Sequence, residues 1–199
     1  MNKEVTSLVL VGTGGQGIVL ASRILAWCAF KSGFDVKESE IHGMAQRGGS
    51  VIGQIRFGKK VHSPSIPTGG AHIMLALEEL EALRYLHFLK NGGKIILNLK
   101  QILPASLEPS LYPENVSEQL REKGYKVFPV KAEEIAKTLG SVKIENTVLL
   151  GVLSLLLPFS TEIWKEVLTN SVPSKMVDLN LKAFEEGKKV GEKILQSSN

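Results

Sequence analysis

Residues Leu8-Val-Leu-Val11 run straight into Gly12-Thr-Gly14-Gly15-Gln16-Gly17, and a periodic apolar stretch from Ile18 to Lys31 follows at once. Four consecutive apolar residues, half of them β-branched, suit a strand buried on both faces, as in a parallel sheet. The glycines match G-x-G-x-x-G in the strand-to-helix setting that gives the pattern its meaning. Gly12 permits the tight reversal, Gly14 lets backbone approach a ligand, and Gly17 allows helix to pack closely on strand. The start of the helix then offers unpaired N–H groups and a partial positive charge to an anion. By itself the pattern also fits a turn that binds nothing.

The remaining punctuation extends this unit. Ile18, Ala21, Ile24, Leu25 and Cys28 share one helical face, and Gly33 ends the helix. Asp35 to Ile41 reads as a second strand. Val51 to Phe57, Lys59-Lys60 and Val61-His62-Ser63 read as a hairpin, which makes the sheet mixed. Ser63 to Gly70 is a loop, His72 to Leu77 a strand, and Glu78 to Lys90 a helix closed by Asn91-Gly92-Gly93. Lys94 to Leu99 and Lys126 to Val130 complete the strands. Helices are expected over 114–123, 132–139, 147–157, 161–168 and 175–195, with Asn146 as an N-cap. Gly187 and Gly191 fall on one face of the last helix and suit close packing. The expected architecture is one α/β domain over residues 1–199: three α/β/α layers around a mostly parallel, partly mixed sheet with a Rossmann-like glycine turn.

Composition narrows the function classes. The single cysteine among 199 residues, Cys28, excludes an internal disulfide, a cysteine-built zinc site and a self-contained iron–sulfur cluster. A reducing, cytoplasmic location is expected, with no secretory signal in the opening Met-Asn-Lys-Glu. Val148 to Phe159 is too short an apolar run to span a membrane. Residues 1–100 carry 12 basic and 7 acidic groups, without basic–aromatic interleaving. That pattern argues against nucleic acid and for a small anionic ligand or acidic partner. The histidines show no metal-ligand spacing, so no metal site is expected.

His42-Gly-Met-Ala-Gln46-Arg47-Gly48-Gly49-Ser50 follows the second strand, at the same carboxyl edge as the glycine turn. Gly48 and Gly49 can expose successive N–H groups as an anion nest, and Arg47 can grip phosphate or carboxylate bidentately. His42 is the one candidate for proton transfer, although a cap on a neighbouring carbonyl is the plainer role. A nicotinamide enzyme would instead hold a ribose with Glu38 or Glu40, about 20 residues beyond the turn.

Taken together, Gly12–Gly17 with Gln16, and His42–Ser50 with Gln46-Arg47-Gly48-Gly49, resemble the gamma-type domain of the 2-oxoacid:ferredoxin oxidoreductases. The likeness extends to Ser63-Pro-Ser-Ile-Pro67, Ala76 to Arg84, Gly93 to Asn98 and Asn146 to Gly151, and is nearest to the arylpyruvate (indolepyruvate) branch. The resemblance implies a small subunit supporting thiamine diphosphate-dependent oxidative decarboxylation of a 2-oxoacid. The acyl group goes to coenzyme A and electrons go to ferredoxin. Thiamine diphosphate, Mg2+ and iron–sulfur clusters would sit on a large partner subunit, so this chain binds none of them alone and is inactive alone. Gly12, Gly14, Gly15, Gln16, Gly17, Gln46, Arg47, Gly48, Gly49 and Ser50 would form the coenzyme A or active-site wall. Surplus apolar faces leave room for a homodimer of the isolated chain. Other readings are a gamma subunit for pyruvate, 2-oxoisovalerate or 2-oxoglutarate, a stand-alone nicotinamide or flavin oxidoreductase, and a non-catalytic assembly subunit.

Overall fold

The computed structural model describes residues 5–43, 48–104 and 107–197. Strand β1 (Thr6–Thr13) lies near the middle of a six-stranded sheet ordered β2-β3-β1-β4-β5-β6. It pairs antiparallel with β3 (Ser50–Gly58) and parallel with β4 (Ala71–Ala76). Parallel pairing continues to β5 (Leu89–Asn98) and β6 (Lys126–Val130). β2 (Asp35–His42) is one of the two edge strands, antiparallel to β3 and therefore parallel to β1.

Alternation sends Leu8 and Leu10 into one core and Val9 and Val11 into the other. The first core packs under α1 (Ile18–Lys31), α4 (Ala132–Thr138), α5 (Glu145–Ser154), α6 (Thr161–Ser171) and α7 (Val177–Ser197). The second packs under α2 (Glu79–Arg84) and α3 (Val116–Glu122). Both sheet faces are covered, so the expected three layers and mostly parallel, mixed sheet are present. A Cβ on Gly187 would stand 2.0 Å from the Val148 carbonyl oxygen, and one on Gly151 would stand 2.2 Å from that of Phe184. The α5–α7 contact is therefore backbone against backbone, and it depends on glycine.

Four expectations change. The hairpin partner of β3 is β2, and Val61 to Ser63 is not a strand. Strand pairing is a long-range choice that local punctuation at Lys59-Lys60 does not encode. The helix expected over 78–90 stops at Arg84, and a 3-10 turn at Leu86–Phe88 hands the chain to β5, where Leu89 pairs with Ala71. His62 is exposed outside any strand. Asn146 lies inside the first turn of α5, whose N-cap position is Ile144, and its side chain instead reaches α1.

Candidate functional site

β1 ends at Thr13, opposite Ser50 at the start of β3, so the two glycine segments leave neighbouring strands at one sheet edge. The Gly14 N–H donates to the Gly49 carbonyl at 2.8 Å, joining them directly. Gly43 N–H donates to the Ser50 carbonyl at 2.9 Å and closes the loop from the other side. The sequence placed both segments at the carboxyl edge of a parallel pair. They do meet there, but β3 runs antiparallel and brings its beginning to that edge.

The turn is shaped by Gln16. Its Oε1 accepts from the Thr13 N–H at 2.7 Å and from the Thr13 hydroxyl at 3.1 Å, while its Nε2 donates to the Leu77 carbonyl at 2.8 Å. A Cβ on Gly12 would press on that Oε1 at 2.6 Å. Gly17 takes φ +78° as N-cap of α1, and a Cβ there would stand 2.7 Å from Asn146 Nδ2. Asn146 Nδ2 donates to the Gly17 carbonyl at 3.3 Å, so α5 holds the start of α1 in place. Gly15, at φ +101°, faces open space where a Cβ would stand. α1 opens with no side-chain cap and no acidic residue in its first turn, which leaves its positive end available to an anion.

Beside Gly49, the Ser50 hydroxyl donates to the Glu81 carboxylate and shares a 2.9 Å hydrogen bond with the Tyr85 hydroxyl. Glu81 is buried, and its other oxygen accepts from the half-exposed Arg84 at 3.0 Å. Glu78, 1% exposed, caps α2 by accepting from the Glu81 N–H at 2.8 Å. It also accepts from the Ile102 N–H at 3.0 Å and from the Tyr112 hydroxyl. Burial and the Glu78 carboxylate push the Tyr112 hydroxyl above its ordinary range, so it remains a donor. Glu78, Glu79 and Glu81 are legible in the sequence only as the start of a helix, and nothing in that pattern marks Glu78 and Glu81 as members of this network. The available signal was that Glu78 and Glu81 follow a strand that is apolar at every position but His72.

Next along the edge, Asn98 donates to the Leu77 carbonyl at 3.1 Å and to Glu145. Lys100 reaches Glu145 at 2.7 Å and Glu133 at 3.1 Å. Burial pulls the Lys100 ammonium down, but these two carboxylates outweigh it and hold the group above its ordinary value.

The site residues read from sequence thus divide. Gly12, Gly14, Gly15, Gln16, Gly17, Gly48, Gly49 and Ser50 converge, while Gln46 and Arg47 lie outside the described residues. His42 is exposed and faces Glu40 at 3.6 Å. In register it lines up with Val51 and Gly12 across three strands, about 10 Å from the turn. Glu38 and Glu40 share β2, which β3 separates from β1. The ribose contact of a dinucleotide fold, made from the strand next to β1, is therefore not available to them. Among the described residues no three His, Cys, Asp or Glu side chains gather as a metal site, and no helix is long and apolar enough to cross a membrane.

Over residues 7–190 the sequence matches the family described as pyruvate ferredoxin/flavodoxin oxidoreductase. The chain belongs to that family. Its relatives include "Indolepyruvate oxidoreductase subunit IorB" of Thermococcus kodakarensis, 40% identical over 196 residues and covering 95% of this chain and 97% of the relative. The protein of the same name from Archaeoglobus fulgidus is 44% identical over 187 residues, covering 91% and 92%. The keto/oxoacid ferredoxin oxidoreductase gamma subunit of Geobacter sulfurreducens superposes with a TM-score of 0.72 over 94% of this chain and 99% of that one. At 24% identity that likeness is one of fold. The family expected from the two glycine segments is the chain's own, and its members are subunits of 2-oxoacid oxidoreductases.

Proposed function

We propose that this chain is the small subunit of an arylpyruvate (indolepyruvate) ferredoxin oxidoreductase, and that the joined glycine segments form the wall that receives coenzyme A. The observation that carries the reading is the Gly14–Gly49 hydrogen bond, which fuses the turn, the loop and the start of α1 into one surface. Backbone N–H groups and a helix N-terminus suit a phosphate group, and Gly15 leaves room for backbone to approach it. Gln16 and Asn146 hold that surface rigid. Arg47, carried by the same loop, would add the bidentate contact.

The single cysteine cannot ligate a cluster, so the electron path belongs to a partner. Thiamine diphosphate with Mg2+ would supply the carbanion-stabilising chemistry from that large subunit, iron–sulfur clusters would carry the electrons, and ferredoxin would accept them from the complex. Ile41 at the end of β2, Leu99 just past β5 and Val142 in the 3-10 turn before α5 remain exposed around this edge. A rim of that kind supports docking of the large subunit there, over the glycine wall.

The test is arylpyruvate- and coenzyme A-dependent viologen reduction, with this chain alone and with the large subunit. Activity is expected only in the mixture, and it should be greater with indolepyruvate than with pyruvate, 2-oxoisovalerate or 2-oxoglutarate. Arg47→Ala should raise the KM for coenzyme A or loosen the complex. Turnover by this chain alone would refute the subunit reading, and an Arg47→Ala enzyme unchanged in both respects would refute the role of the loop.

A further inference from the structure

α1 is apolar on two faces. One is buried against the sheet, and the other, Val19, Arg23, Ala26, Trp27 and Phe30, repeats at i, i+4, i+7, i+8 and i+11 along the outside. A helix in an outer layer normally turns charge to water on that side. Here Trp27 is 49% and Phe30 61% exposed, with their rings edge-to-face at 5.6 Å. Trp27 stands as a ridge between two grooves. One, about 280 Å³, runs between α1 and β2 and is lined by Arg23, Ala26, Trp27, Phe30, Val36 and Glu38. The other, about 350 Å³, lies against α6 beside Lys31, Val167 and Asn170.

This flank is separate from the carboxyl edge: it follows α1 away from its glycine start and along the edge strand β2. We propose that it is the surface on which a second copy of this chain docks, across a two-fold axis. A two-fold interface needs one patch that complements itself. This patch carries an aromatic ridge with a groove beside it, and a cation and an anion together in that groove. Rotation sets the Trp27 ridge of each copy into the groove of the other and brings Arg23 of each against Glu38 of the other. Partial desolvation in the groove, with Glu40 behind it, pushes the Glu38 carboxyl up, while Arg23 pulls it down. A second guanidinium from the other copy would satisfy it further. Strand-to-strand pairing of the β2 edges is disfavoured, because a register centred on Ser39 sets Glu38 opposite Glu40 twice. Docking through the helix face avoids that repulsion.

Sedimentation equilibrium of the full chain, alone and in the assembled complex, tests the inference by charge exchange. The wild-type chain should be a dimer. Arg23→Glu and Glu38→Arg should each weaken it roughly tenfold or more, and Trp27→Ala should leave it monomeric with an unchanged circular dichroism spectrum. The combined Arg23→Glu/Glu38→Arg variant should recover tight association, since the pair is then restored in reverse. A wild-type chain monomeric in both settings overturns the inference. So does a dimer indifferent to the single reversals, or a double variant no tighter than the single ones. Reversals that weaken only the contact with the large subunit would assign the flank to that partner instead.

Discussion

At the scale of single residues, the turn depends on one side chain as well as on its glycines. Thr13 is buried, and its N–H is answered by Gln16 Oε1. Gln16→Ala removes that acceptor and leaves a buried donor unsatisfied, a cost of about 1–3 kcal/mol. The Leu77 carbonyl keeps Asn98 as its donor, so the loss is confined to the β1 end of the turn. Urea unfolding should show Gln16→Ala destabilised by that amount. Gln16→Glu should also be destabilised, since it retains the acceptor but turns a carboxylate oxygen toward the Leu77 carbonyl. A variant as stable as wild type would mean that the turn is held elsewhere. The same argument separates Gln16 from Gly15: the first fixes the backbone, and the second leaves space beside it for a ligand.

At the scale of elements, the sharpest contrast lies in α7. Alanine is favoured over glycine inside a helix by roughly 1 kcal/mol, so intrinsic propensity favours both Gly187→Ala and Gly191→Ala. The packing decides otherwise for one of them. At 187 the new methyl group meets the Val148 backbone, which cannot step aside, while at 191 the nearest atom is the end of the Leu155 side chain at 2.7 Å. Gly187→Ala should therefore lose about 1–3 kcal/mol by overpacking, and Gly191→Ala should stay within about 1 kcal/mol of wild type, as read from thermal or urea midpoints. The four-residue spacing of these glycines was visible in the sequence, and so was the β1–turn–α1 unit, because both are local patterns. The insertion of β3 between β1 and β2 was not, since strand order is decided by pairing across the sheet. Nor was the early end of α2: Leu89 and Lys90 continue a helical pattern, but the edge of β4 offers Leu89 a partner. In the site, glycines and Ser50 declared themselves by type and spacing. Glu81 and Tyr85 did not, because what distinguishes them is a hydrogen bond to Ser50, a contact far apart in sequence.

At the scale of the whole molecule, α1 links the glycine wall to the sheet and to the helical layer. It packs on β2, β3, α5 and α6, starts at the glycine wall, and is tied to α6 by Lys31 and Glu166 at 2.7 Å. Such a helix has no route to open alone, because leaving the sheet would break both its inner core and its contact with α6. Cys28 reports on this directly. It is fully buried on the inner face, and burial pushes its thiol up to about 12. At pH 8 the thiolate fraction in the folded chain is then on the order of one part in ten thousand, and alkylating reagents must wait for opening. Iodoacetamide labelling of the native chain should accelerate with urea along the slope of global unfolding, reaching the rate of an ordinary thiol past the midpoint. Labelling that is independent of urea would instead reveal a local opening of α1. The glycine wall would then stand on a mobile helix rather than on one held by the sheet, α5 and α6.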